Sequence, residues 1–149
     1  MSGSERFQTG LEFRSEGLAR SSVKKIAIAN PEHAPYGKAA VAALQKENIY
    51  EQVKDRFVLG ENISQAASFV ASGSADAGVV ALSLALSPNM KEKGRYVEVP
   101  GSDYPAIQQA CVIVRSSKNK SVAQQFLKFI QSSTIRELFQ KYGFAIFNQ

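Results

Sequence analysis

A chain of 149 residues, 44% hydrophobic and 21% charged, has room for one domain or two small lobes and reads as ordinary globular material. Its net charge of +5 leans towards anionic partners, but no arginine-rich run interleaved with aromatics marks a nucleic-acid surface, and scattered solvated lysines account for the same surplus. One cysteine, Cys111, excludes an internal disulfide and a multi-cysteine metal site; the one histidine, His33, lacks a partner ligand; and no apolar run approaches the roughly 20 residues of a membrane span.

Residues 1–4 read as an added leader. Residues 5–22 hold few apolar side chains and no strong period, so we expect an extended segment with at most one turn, around residues 16–20. No signal peptide opens the chain. A domain that begins this way suggests lost upstream structure.

From Lys24 the pattern becomes regular. Residues 25–29 (KIAIA) form a short β-branched run of the kind a strand covered on both faces shows. Asn30 and Pro31 end it, because proline has no amide for a ladder and restricts its predecessor. Pro35 suits the first position of a helix running to about Glu47, with Ala40, Val41 and Leu44 on its inner side. A second strand covers residues 56–59 and stops at Gly60. Asn62 then caps a second helix, with Gln65 three residues on in a capping-box pattern. Ile63, Ala66, Ala67 and Val70 fall on one face of that helix, and Gly73 ends it. Residues 77–82 (AGVVAL) read as a third apolar strand. Strand, helix, strand, helix, strand predicts a parallel sheet with right-handed crossovers.

In such a sheet, ligands bind at the carboxyl ends of the strands. Two helix starts would meet there with unpaired amides, at Tyr36, Gly37 and Lys38 and again at Ile63. The end of the third strand, residues 81–83, would lie beside them. Free N–H donors at the positive end of a helix dipole suit an anion, and Gly37 would let a ligand approach the backbone. Plain helix caps facing water fit the same spacing.

After Pro88 the chain changes character. Residues 89–94 read as a polar turn, 95–99 (RYVEV) as an alternating strand, 100–105 as a loop, and 106–114 (AIQQACVIV) as a strand whose apolar end buries an inert Cys111. Two helices follow. Val122, Phe126, Phe129 and Ile130 line the first. Ile135, Leu138, Phe139 and Tyr142 line the second, with Thr134 and Glu137 as a capping box and Gly143 as its stop. Faces this apolar call for a partner surface, from upstream structure or from a second copy in a homodimer.

The stretches IAIANPEHAPYGKAAVAAL, VLGENISQA, GSADAGVVALSLA and FQKYGF, in that order over about residues 23–147, resemble the periplasmic molybdate-binding proteins of ABC transporters. NPEHAPYG followed by GENI carries most of that resemblance. It implies a two-lobed periplasmic-binding-protein fold of the α/β class, with a central, mostly parallel sheet flanked by helices. Residues 23–104 would form the second lobe and 105–149 the C-terminal part of the first, with 1–22 a leader. The ligand would be molybdate or tungstate, held by backbone amides and hydroxyls without a cofactor or metal. By alignment Tyr36 and Ile63 would supply amides, with Pro35, Gly37, Asn62 and Ser64 around them. Ala81 stands where some members carry a tyrosine, so that hydroxyl is absent, and Ser83 would be a partial substitute. Nothing in residues 1–22 matches the serine- or threonine-bearing loops of the family's first lobe. The resemblance further implies a membrane permease as partner of the longer parent and a periplasmic or extracellular, membrane-associated location.

Two other classes are weighed. Effector domains of LysR-type regulators share the fold but follow a helix-turn-helix, which this chain lacks. Sulfate is the other oxyanion to consider. An enzyme would need a convergent acid, base or nucleophile, and Glu32, His33 and Glu61 near the strand ends form no triad or dyad pattern. We expect no catalytic residues.

Overall fold

The computed structural model describes residues 15–146. Their contacts divide the chain into two units that meet between Ile107 and Gln108. The first unit is built on a three-stranded parallel sheet. Strand β1 (Ile26–Ala29) lies in the middle, β2 (Phe57–Gly60) on one side and β3 (Ala77–Gly78) on the other. Ile26 sits opposite both Phe57 and Ala77. A short helix, α1 (Ser15–Ala19), precedes β1.

All four residues of β1 have no solvent exposure, and they alternate between two apolar layers. Ile26 and Ile28 pack with Ala40 and Leu44 of α2 (Pro35–Lys46), with Ile49 and with Val53 of α3 (Tyr50–Val53). On the opposite face, Ala27 packs with Ala66 of α4 (Ile63–Ala71) and with Ala75. One crossover helix per face is what right-handed β–α–β connections to opposite neighbours require. The period of two along β1 therefore sorts large side chains towards α2 and alanines towards α4.

Helix α2 ends with Asn48 in the left-handed region at φ 58°. The Ile49 N–H donates to the Leu44 carbonyl and the Asn48 N–H to the Gln45 carbonyl, each at 3.0 Å. Ile49 and Leu44 meet in the same core layer, completing a Schellman cap. A 3₁₀ turn (Lys54–Arg56) follows α3, and its Arg56 guanidinium donates to the Val23 carbonyl at 2.6 Å and the Arg20 carbonyl at 3.0 Å. The sequence pattern showed neither α3 nor this turn. At the end of α2 away from its start, Lys46 pairs with the buried Asp103 at 3.1 Å and so holds residues 100–103 against the lobe.

Several expected elements differ. The third strand is only Ala77–Gly78; the Val79 N–H still donates to the Ala27 carbonyl at 2.9 Å, but the chain then turns into α5 (Leu82–Ala85). A short helix, α6 (Pro88–Lys91), overlaps the first part of the predicted polar turn. Residues 95–99 and 106–114 pair with no strand among the described residues, because the sheet stops at β3. An alternating or apolar run specifies a strand only where a neighbour supplies the ladder. Cys111 is accordingly exposed rather than buried.

The second unit holds α7 (Lys120–Ile130) and α8 (Ser133–Lys141). Helix α8 starts two residues earlier than the proposed Thr134–Glu137 box requires: Ser132 is its N-cap and makes no side-chain cap bond. Its end is as expected. Gly143 adopts φ 77°, the Phe144 N–H donates to the Phe139 carbonyl at 3.0 Å, and the two rings meet at 5.7 Å. Val122, Phe126, Phe129, Leu138 and Phe139 remain exposed.

Two predictions follow from the sheet. Replacing Ile28 by alanine removes a fully buried side chain and should cost about 3 kcal/mol in a urea titration. At the amino edge of the sheet, the Lys25 and Lys24 amides donate to Asp76 Oδ2 at 2.9 and 2.8 Å and hold its carboxyl below the ordinary value of 3.8. A lowered folded value means stability that is present above 3.8 and lost as pH falls through the folded value. Asp76→Asn should therefore lower the melting temperature at pH 7 and flatten its decline below pH 3.8. An unchanged acid limb would contradict this.

Candidate functional site

Because β1, β2 and β3 are parallel, their carboxyl ends share one edge, and each chain exit there leads towards a helix start. In parallel sheets of this order, ligands favour the point beside β1 where successive connections run in opposite directions.

The β1 exit is a tight loop. Asn30 Oδ1 accepts the Glu32 N–H at 2.9 Å, and the Asn30 carbonyl accepts the Ala34 N–H at the same distance. The Asn30 N–H donates across to the Gly60 carbonyl at 2.7 Å, so the β1 and β2 exits begin side by side. Ala34 is the extended N-cap of α2 and Pro35 its first residue. Proline there forfeits a donor that had no helical partner.

Of the three α2 amides expected to be free, one is. The Gly37 and Lys38 N–H groups both donate to the Ala34 carbonyl, at 3.0 and 3.1 Å. The Tyr36 N–H donates to no described residue. Tyr36 itself is half-buried. Gly37 also meets a packing constraint that spacing did not show. A Cβ at that position would stand 2.2 Å from the Ala29 carbonyl oxygen and 2.8 Å from Pro31 N, so the glycine lets the helix start abut the strand end. Its bare face meets backbone, not an open ligand space.

The β2 exit is shorter. The Asn62 side chain accepts the Gln65 N–H at 3.0 Å, and Gln65 Oε1 accepts the Glu61 N–H at 2.6 Å. The reciprocal pattern expected of Asn62 and Gln65 is present, reaching one residue further back than a capping box does. The Ile63 and Ser64 N–H groups have no described acceptor. Gly60 is confined as Gly37 is: a Cβ there would lie 2.7 Å from Ala66 N.

At the β3 exit Ala81 is buried and N-caps α5 through its carbonyl, and Ser83 lies half-buried in the first turn of that helix. The two loops before α2 and α4 also touch through side chains that sequence spacing did not join. His33 Nε2 lies 3.4 Å from Glu61 Oε2, with both groups largely exposed. Chemically the edge offers backbone donors and two positive dipole ends. Among the described residues no group of three or more His, Cys, Asp or Glu side chains is placed to hold a metal.

The family model described as bacterial extracellular solute-binding protein matches residues 12–145. The molybdate-binding protein ModA of Azotobacter vinelandii is 36% identical over 129 residues, which are 87% of this chain and 51% of that protein. The chain thus spans about half the length of that curated relative. Among solved structures, the Azotobacter vinelandii periplasmic molybdate-binding protein superposes with a TM-score of 0.81 at 29% identity, covering 94% of this chain and 62% of the other. A Clostridium difficile substrate-binding domain assigned to a molybdenum ABC transporter gives a TM-score of 0.67 at 27% identity, covering 95% and 59%.

The two glycines and the cap give this edge separable sensitivities. Gly37→Ala forces a carbon into the Ala29 carbonyl and should cost about 3 kcal/mol. Asn62→Ala removes one cap bond and should cost about 1 kcal/mol. Denaturant midpoints of the two variants check this; a Gly37→Ala protein as stable as the parent would refute the packing role.

Proposed function

The chain belongs to the bacterial extracellular solute-binding protein family, and from that footing we propose that it contributes one side of the oxyanion site in the substrate-binding component of a molybdate or tungstate ABC transporter. The carrying observation is the pair of adjoining helix starts whose Tyr36, Ile63 and Ser64 amides have no described acceptor. A tetrahedral oxyanion bound there accepts hydrogen bonds from these amides and lies at the positive ends of α2 and α4. Pro35, Gly37 and Asn62 shape the two starts, Ala81 at the β3 exit contributes no hydroxyl, and Ser83 on α5 is the candidate hydroxyl in its place.

Relatives and structural neighbours whose names specify molybdate or molybdenum support this choice of anion. Neutral donors suit a permanently charged ligand: no proton is exchanged, and no counter-charge has to be desolvated with it. Binding, not catalysis, is the proposed activity, with no cofactor beyond the anion cargo. A membrane permease is the proposed partner and the periplasm the proposed compartment. Among the described residues no helix is long and apolar enough to cross a membrane. None of the relatives named above is a regulator, which speaks against a LysR-type effector domain. The homodimer remains a proposal resting on the exposed apolar residues of α7 and α8 alone.

If the proposed site has two sides, the 149-residue chain holds only part of the donors. Two missing charge-assisted hydrogen bonds, at about 1.5–3 kcal/mol each, weaken binding by about 10²- to 10⁴-fold. Isothermal titration should show roughly millimolar or weaker molybdate affinity for this chain, with sulfate weaker still, against submicromolar affinity for a protein spanning the relatives' full length. Micromolar or tighter binding by the 149-residue chain would overturn the two-sided site.

A further inference from the structure

The His33–Glu61 contact joins the loop before α2 to the loop before α4. Its position is the point of interest. His33 is three residues ahead of Tyr36, and Glu61 is two ahead of Ile63, so the contact spans the two proposed donor sets. Behind it the Asn30 N–H to Gly60 carbonyl bond at 2.7 Å also links the two exits. One link permits a hinge; two links at different places along the loops resist it.

Charge alone gives Glu61 a puzzling place. A carboxylate two residues from an anion-binding amide repels the anion by Coulomb's law. His33, its Nε2 3.4 Å from Glu61 Oε2, places a polar partner beside that charge. Glu61 is also held at its backbone, where its N–H donates to Gln65 Oε1 at 2.6 Å, so its side chain projects from a fixed base.

We infer that His33 and Glu61 are positioning residues, a polar tie between the two loops that keeps the Tyr36 and Ile63 amides aimed at one point. The inference rests on the proposed anion site for its purpose but not for its existence, since the tie is a property of the ligand-free chain.

The test uses the 149-residue chain with assigned amide NMR signals and three variants: His33→Ala, Glu61→Ala and Glu61→Gln. Without any anion, Glu61→Ala should shift the amide signals of residues 33–37, and His33→Ala those of residues 61–65. Glu61→Gln keeps a polar oxygen in place beside His33 Nε2 and should leave the Tyr36 signal near its parental position. If each alanine variant perturbs only its own loop, the tie does not exist and the inference fails.

Molybdate is then titrated in the tens of millimolar, where weak binding is readable from the same signals. The positioning role predicts that Glu61→Ala weakens binding by about two- to fivefold, the range of an exposed polar pair, and that Glu61→Gln restores it. A purely electrostatic Glu61 predicts the opposite sign, with both variants binding more tightly, and that result would overturn the positioning role. If the loops are coupled but no variant, nor the parent, responds to molybdate, the anion-site reading fails while the tie stands.

Discussion

The structure depends on a single buried strand. β1 has no exposed residue, neighbours on both edges and an apolar layer on both faces. Each consequence follows from covering four residues completely. Both edges must be paired, or buried backbone groups would be left without partners. Both faces must carry a helix, so one crossover passes on each side. Parallel pairing then delivers every strand exit to the same edge, and with it the starts of α2 and α4. The candidate site is thus a by-product of burying β1, and its donors are groups that any helix start leaves over.

The tightness of that arrangement is set by two glycines. Gly37 abuts the Ala29 carbonyl and Gly60 abuts the amide of Ala66, so strand ends and helix starts meet backbone to backbone. Side chains at those positions would push the helices off the sheet. This closeness brings the two loops near enough for the Asn30–Gly60 bond and the His33–Glu61 contact. The far end of the lobe is fixed differently, by Lys46 on the buried Asp103. Rigid backbone packing at one end and a polar clasp at the other give the lobe a firm edge for presenting amides.

Much of this was legible in the residues. KIAIA announced a doubly covered strand, Pro35 and Asn62 announced helix starts, and Gly143 announced a helix end, because each acts through local geometry that context seldom overrides. The parallel order followed from alternation of strand and helix. Other features depended on neighbours. Residues 106–114 have the composition of a strand, but composition cannot supply a pairing partner, so Cys111 is exposed. Thr134 and Glu137 have capping-box spacing, yet α8 begins at Ser133, two residues too early for it. Gly37 was legible as special, but not which contact made it so; an approach to ligand and an approach to backbone ask for the same residue. Helix α3 was missed because four residues are too few to show a period. The His33–Glu61 contact joins positions 28 residues apart in sequence, and nothing short of the fold brings them together.

The central claim is that the amides of Tyr36 and Ile63 converge on one oxyanion. A crystal of this chain grown with tungstate, with anomalous scattering collected at a tungsten absorption edge, tests it most directly. The account predicts a tungsten peak at the carboxyl edge of the sheet, with anion oxygens within about 3 Å of both amide nitrogens. A peak held instead by surface lysines, or an empty carboxyl edge at saturating tungstate, would contradict it.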